Sequence, residues 1–186
     1  DQVPKHVAGG LMFGTPQSIP VPDVDHTDYL MMLGANPYAS NGSLCTSPDF
    51  PGRIQAIRAR GGKVVVVDPR RTKTAEESDE WISIRPGTDG LFLAAMVNVM
   101  FAENLVSIEP RIASLLNGVD ELRDAVAAFT PAAVQEVTGV SAETTARLAR
   151  ELCGAPTAAV YGRIGVNTVE FGTTNAWLID AIRSCA

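Results

Sequence analysis

The run Lys63-Val64-Val65-Val66-Val67-Asp68-Pro69-Arg70-Arg71-Thr72 carries four consecutive valines. Branching at Cβ restricts χ1 in a helix but suits a pleated surface, so the run reads as a strand. It shows no polar/apolar alternation. That pattern implies a strand covered on both faces, the usual state of a parallel strand between helices. The strand stops in an acid, a proline and two arginines, and in open α/β sheets ligands sit beyond the carboxyl ends of the strands. A carboxylate at such an edge can accept hydrogen bonds from a ribose or a base, and an arginine can fork onto phosphate or ribose oxygens. Asp68-Pro69 can equally be a plain strand stop, because proline cannot continue a ladder.

Upstream, Tyr29-Leu30-Met31-Met32-Leu33 predicts a first strand, ended by Gly34-Ala35-Asn36-Pro37. A glycine directly after a buried strand lets a backbone or ligand come close, and an asparagine can donate through its side chain. The same residues are ordinary turn formers. Tyr38 to Gly52 reads as a long polar loop. A helix follows, with Ile54 and Ile57 facing inward and Arg53, Arg58 and Arg60 outward, closed by Gly61-Gly62. Residues 29–68 therefore form a strand–helix–strand unit, which is almost always a right-handed crossover.

Downstream, Thr74 to Ser78 predicts a short helix and Trp81 to Ile84 a third strand, ended by Arg85-Pro86-Gly87-Thr88-Asp89-Gly90. Thr88 or Asp89 can cap the apolar helix Leu91 to Glu103. Further helices are expected at Asp120 to Phe129, from Pro131 to Gly139, and from Ala142 to Cys153 with Ser141 as cap. Ala158 to Tyr161 predicts a last strand, running into Gly162-Arg163-Ile164-Gly165-Val166-Asn167. Residues 1–22, punctuated by Gly9, Gly10, Gly14, Pro16, Pro20 and Pro22, read as loop. Trp177 to Arg183 reads as an amphipathic helix with nothing after it to pack against. The fold class expected is α/β: a doubly wound, mostly parallel, Rossmann-like sheet with helices on both faces and a helical C-terminal portion. Its parts would be a lead-in at 1–22, a dinucleotide-binding domain at 23–156 and a strand-turn-helix return at 157–186. The absence of an initiator methionine and the unpartnered last helix suggest a piece of a longer protein.

A net charge of −6 argues against a nucleic-acid partner, which calls for a basic face. No apolar run reaches the ~18 residues of a membrane span. The compartment stays open, with the cytoplasm the default. Cys45, Cys153 and Cys185 are far apart, and His6 and His26 are not spaced as metal ligands. No G-x-G-x-x-G follows a strand, no G-x-x-x-x-G-K-[ST] loop exists, and neither a G-x-S-x-G elbow nor an H-E-x-x-H is present. Two readings from other classes remain beside the one below: a stand-alone Rossmann-type nucleotide-binding module without redox activity, and an NAD-dependent dehydrogenase with a divergent fingerprint.

Gly34-Ala35-Asn36-Pro37, Asp68-Pro69-Arg70-Arg71-Thr72 and Arg85-Pro86-Gly87-Thr88-Asp89, in this order and spacing, resemble the molybdopterin oxidoreductase family, the dimethyl-sulfoxide-reductase superfamily. The resemblance continues through Phe129-Thr130-Pro131, Val137 to Ser141 and Tyr161 to Gly165. It implies a large enzyme, of formate dehydrogenase or nitrate reductase type, with molybdenum or tungsten held by two molybdopterin guanine dinucleotides. This chain would be the domain that binds the guanosine end of one of them. By position, Gly34, Ala35, Asn36 and Pro37 would face the diphosphate, with Ser40 assisting. Asp68, Pro69, Arg70 and Thr72 would hold the ribose side, and Asp89, after Pro86 and Gly87, the guanine edge. Gly162 and Gly165 would lie near a pterin. The family's metal ligand has no evident counterpart at Asp1 to Val7, so no residue is assigned to catalysis or to metal. The chain alone is expected to show no turnover. An iron–sulfur cluster would belong to a missing N-terminal part. The implied partners are the remaining domains of the full-length chain, an electron-transfer subunit and a small-molecule substrate.

Overall fold

The computed structural model of the chain describes residues 2–45 and 47–186. The order opens with α1 (Val3–Phe13), β1 (Tyr29–Leu33), α2 (Pro37–Ser40) and α3 (Phe50–Ala59). β2 (Lys63–Val67), α4 (Lys73–Glu76) and β3 (Glu80–Ile82) follow. A helical stretch comes next: α5 (Asp89–Ala102), α6 (Pro110–Ala113), α7 (Val119–Val126), α8 (Pro131–Thr138) and α9 (Ala142–Gly154). β4 (Ala158–Gly162), α10 (Ile164–Asn167) and α11 (Gly172–Cys185) come last.

The four strands form one parallel sheet in the order β3-β2-β1-β4. Leu33 stands level with Val67 on one side and Gly162 on the other, and Val67 with Ile82. All four carboxyl ends therefore share one edge. The valine run is buried on both faces, as its lack of alternation predicts. Tyr29, Met31, Leu33, Val65 and Val67 pack with Phe92, Met96, Leu148 and Ile179 of α5, α9 and α11. Leu30, Met32, Val64 and Val66 pack with Phe50, Ile54 and Ile57 of α3. The sheet is doubly wound.

At the amino-terminal edge, charged groups tie the strands to α9. Lys63 Nζ stands 2.9 Å from Glu80 and 2.7 Å from Glu151. Arg147 bridges the same two carboxylates, and the Tyr29 hydroxyl donates to Glu151 at 3.2 Å. The cap expected at Ser141 forms, and Thr130 caps α8 in the same way: each side-chain oxygen accepts from the backbone N–H three residues on.

Four local expectations are corrected. Residues 3–13, expected as loop, form α1. Proline in its first turn forfeits no intrahelical bond. Gly9 is there for packing: a Cβ would stand 2.8 Å from the Ser18 carbonyl oxygen of the returning chain. The expected 38–52 loop contains the short α2, and α3 begins at Phe50, capped by the Asp49 carboxylate on Gly52 N–H at 3.1 Å. The third strand stops at Ile82 rather than Ile84. Its last rung is Asp68 N–H to Ile82 O at 3.1 Å, after which Pro69 offers no donor. Finally, α11 is not left without a partner. Leu178, Ile179 and Ile182 are buried, and the helix packs on α1, α5 and β4. Its partners are upstream elements, one of which reads as loop in sequence.

Candidate functional site

The turns after β1, β2 and β3 and the turn after β4 meet at the carboxyl edge of the sheet. The strand order reverses between β1 and β4, since β2 and β3 extend to one side and β4 returns on the other. A crevice at such a switch point is where open α/β sheets bind ligands. Here its floor is closed by backbone. Gly34 N–H donates to Val67 O, Gly165 N–H donates to Gly34 O, and Arg163 N–H donates to Leu33 O, each at 3.1 Å.

Gly34 has a left-handed backbone, with φ +54°. A Cβ on it would lie 2.7 Å from Gly165 Cα, and a Cβ on Gly165 would lie 2.7 Å from Gly34 Cα. The two glycines serve each other. Gly162 instead leaves room for Ile179, whose Cδ1 would be 2.3 Å from an added Cβ.

Beyond Gly34, Ala35 and Pro37 are buried and Asn36 is half-buried. Asn36 Oδ1 accepts from the Thr74 hydroxyl at 2.7 Å, and the Asn36 carbonyl accepts from the Ala39 and Ser40 N–H groups at 2.9 and 3.0 Å. The exposed Ser40 hydroxyl also donates to that carbonyl, at 3.2 Å. Thr72 is buried, and its hydroxyl accepts from Ala75 N–H at 3.3 Å as the cap of α4. Pro69 and Arg70 are exposed, and Arg71 lies over the Trp81 ring at 5.8 Å.

Asp68 folds back so that Oδ1 accepts from Arg70 N–H at 2.8 Å. Partial burial nonetheless pushes its carboxyl above the usual aspartate range, against that hydrogen bond and the Arg70 charge. Asp89 opens α5 after the exposed Pro86 and Gly87. It is only 5 % exposed, and no side chain among the described residues donates to it. Burial pushes its carboxyl up to about 6, its own backbone N–H opposes this, and the nearby Asp68 charge adds to it. Two carboxyl groups thus sit within electrostatic reach at the edge. The deeper one is kept at a cost that protein donors do not offset.

Several neighbouring side chains receive no role from the sequence alone. Arg163 is buried, with Nη2 3.3 Å from the Ser43 hydroxyl. Lys5, brought in by α1, is pushed down to about 8 by burial, with Arg163 and Arg183 nearby adding to the shift and Asp180 opposing it. Asn167 and Asn175, on α10 and α11, are buried beside the Gly34–Gly165 contact. Among the described residues no group of three or more His, Cys, Asp or Glu could hold a metal ion, and no helix is long and apolar enough to cross a membrane.

Residues 5–182 match the family model described as molybdopterin oxidoreductase. The alpha subunit of F420-dependent formate dehydrogenase from Methanocaldococcus jannaschii is 29 % identical over 88 % of this chain and 22 % of its own length. Formate dehydrogenase H of Escherichia coli is 32 % identical over 87 % of this chain and 21 % of its own. The structure of acetylene hydratase from Pelobacter acetylenicus superposes with a TM-score of 0.83 at 21 % identity, over 99 % of this chain and 24 % of that one. The chain thus spans about a fifth to a quarter of the length of these proteins.

Proposed function

The chain belongs to the molybdopterin oxidoreductase family, and we propose that it binds the guanosine diphosphate end of a molybdopterin guanine dinucleotide within a larger redox enzyme. The observation that carries this reading is Asp89. A carboxylate kept 5 % exposed without a side-chain donor is poised for a ligand that brings donors of its own. Guanine presents two N–H donors on one edge, which a carboxylate can accept together, and adenine does not. Asp68 and Arg70, one strand away, suit a ribose, and the Gly34 to Pro37 turn suits the diphosphate. The matched relatives include formate dehydrogenases and a hydratase. A part shared across such different reactions suits cofactor binding rather than substrate choice. The metal of the bound cofactor would supply the redox chemistry. This chain's residues would hold and orient the nucleotide.

The test is calorimetry with GDP and ADP on the protein. The wild type should prefer GDP. Asp89→Asn, which trades an acceptor for a donor, should erode the preference by about 1–3 kcal/mol. An unchanged GDP-to-ADP ratio in the variant would remove Asp89 from the guanine site.

A further inference from the structure

Five of the ten large apolar side chains left exposed among the described residues fall between Val3 and Val21, on or just after α1. The other five, from Leu115 to Phe171, belong to five different turns and helices. Val3, Val7 and Leu11, 69, 45 and 73 % exposed, recur every four residues and so line one side of α1. Gly10 lies beside them, and a Cβ there would meet nothing within 4 Å. Phe13 borders an open hollow of about 330 Å³ with Ser18, Ile19 and Pro20. The opposite side of the helix is already used. Ala8 and Gly9 are buried, Met12 packs against the core, and α1 lies on α11. Lys5 is the one Asp, Glu, Lys or Arg among residues 2–22, and it sits within reach of the Asp180 and Arg183 charges of α11, on that same inner side. α1 is therefore apolar on both faces. A surface helix keeps a polar face toward water, and a helix apolar all round is one that is covered.

We propose that the Val3–Val7–Leu11 face is an interdomain surface, covered by a part of the same polypeptide that lies outside these 186 residues. Length and area single out that occupant. The chain spans about a fifth to a quarter of the relatives it matches, so most of a protein of their size would be available to cover the face. An 11-residue helix is roughly 16 Å long and offers a strip roughly 10 Å wide. Even with the hollow at Phe13, that is small against the ~800 Å² per partner that a specific complex of separate chains buries. A tethered partner needs less, because linkage makes the docking intramolecular. The surface that fits is apolar. The face holds no charge to pair, Gly10 admits close approach to the helix, and the hollow beside Phe13 takes a bulky apolar side chain. The proposal rests on the larger-enzyme part of the function proposed above and not on the nucleotide site.

The test is hydroxyl-radical footprinting of the full-length enzyme, native and urea-unfolded, once its intact mass has been measured. A polypeptide no longer than 186 residues would remove the larger-enzyme reading and this proposal together, and would leave the nucleotide site standing. In a longer one, coverage slows oxidation of Val7 and Leu11 by about tenfold or more against the unfolded enzyme, because their surface is withdrawn from water. Native rates close to the unfolded ones, as the 73 % exposure of Leu11 in this fold alone requires, would overturn it. The footprint is repeated on serial dilution. Protection that persists supports a cover within one polypeptide, and protection lost on dilution assigns the cover to a second copy and overturns the proposal. A photoreactive side chain, Leu11→p-benzoylphenylalanine, then identifies what lies on the face. Cross-links to residues of the same polypeptide outside 1–186 are expected, and cross-links to another copy or to a different chain would overturn it. Should that variant fail to fold, the wild-type footprint and its dilution series decide.

Discussion

Gly34 and Gly165 meet backbone to backbone, each lacking a Cβ that would stand 2.7 Å from the other's Cα. The glycine after β1 is therefore used to admit the turn after β4, joining the two sides of the switch point. Gly34→Ala adds a clash with fixed backbone to a left-handed φ of +54° and should cost roughly 2–4 kcal/mol in urea unfolding. Gly165→Ala should cost about 1–3 kcal/mol from the clash alone. Gly87→Ala is the control. Its φ is +81° but its Cβ would meet open space, so only the conformational cost of about 1 kcal/mol is expected. If Gly34→Ala is no worse than Gly87→Ala, the packing account is wrong.

Asp89 should impose a pH dependence on stability. Its folded pKa of about 6 lies above the ordinary aspartate value of 3.8, so the folded state binds more protons between those values. Stability is then full below about pH 4, falls as pH rises through about 6, and stays reduced above it. The drop is on the order of 2–3 kcal/mol, since a tenfold change in proton affinity corresponds to about 1.4 kcal/mol. Asp89→Asn should remove this slope and be more stable than the wild type at pH 7. Denaturant midpoints measured from pH 4 to 8 provide the check. A wild-type profile flat across that range would contradict the cost of burying this carboxyl.

How much of this is legible in the sequence follows from which signals are local. The valine run and Tyr29–Leu33 announce themselves because uninterrupted apolar segments bounded by turn residues have few alternatives. The caps at Thr130 and Ser141 are equally plain, since a cap acts within three residues. The site turns after β1, β2 and β3 are legible as candidates for the same reason. α1 is not, because Gly9 and Gly10 look like punctuation until Ser18 is seen to return over them. Likewise the Gly34–Gly165 contact is not legible, because its two halves lie far apart in the chain. Asn167 lies in the turn singled out after β4 and Asn175 does not, but only the fold shows that Asn167 Oδ1 and Nδ2 and Asn175 Oδ1 are buried without a partner.

The charged cluster at the amino-terminal edge should act in the opposite sense to Asp89. Hydrogen bonds and charges from Lys63 and Arg147 hold the Glu80 and Glu151 carboxyls below their ordinary value of 4.5 despite partial burial. Their contribution is therefore present above about pH 4.5 and is lost as pH falls through the folded values. Glu151→Gln weakens the contacts to Lys63, Arg147 and Tyr29 together. With side chains about a quarter to a third exposed, the expected loss is about 1–2 kcal/mol at pH 7, shrinking in high salt. Equal stability of Glu151→Gln and wild type at low salt would show the network to be inert.

The two edge carboxyls should titrate as neighbours. Asp68 raises Asp89, though burial is the larger cause. Asp68→Asn keeps an oxygen able to accept from Arg70 N–H, so the turn after β2 should survive while its charge is removed. The Asp89 midpoint should then move down from about 6 but stay above the ordinary aspartate range, because burial persists. Carbon-detected NMR titration of the Asp89 carboxyl measures this directly in each protein. Raising the salt concentration should mimic part of the shift in the wild type, since part of a charge–charge effect is screened and burial is not. A midpoint unmoved by Asp68→Asn would mean that the two groups do not share a site. The placement of ribose and guanine on adjacent turns would then lose its physical basis.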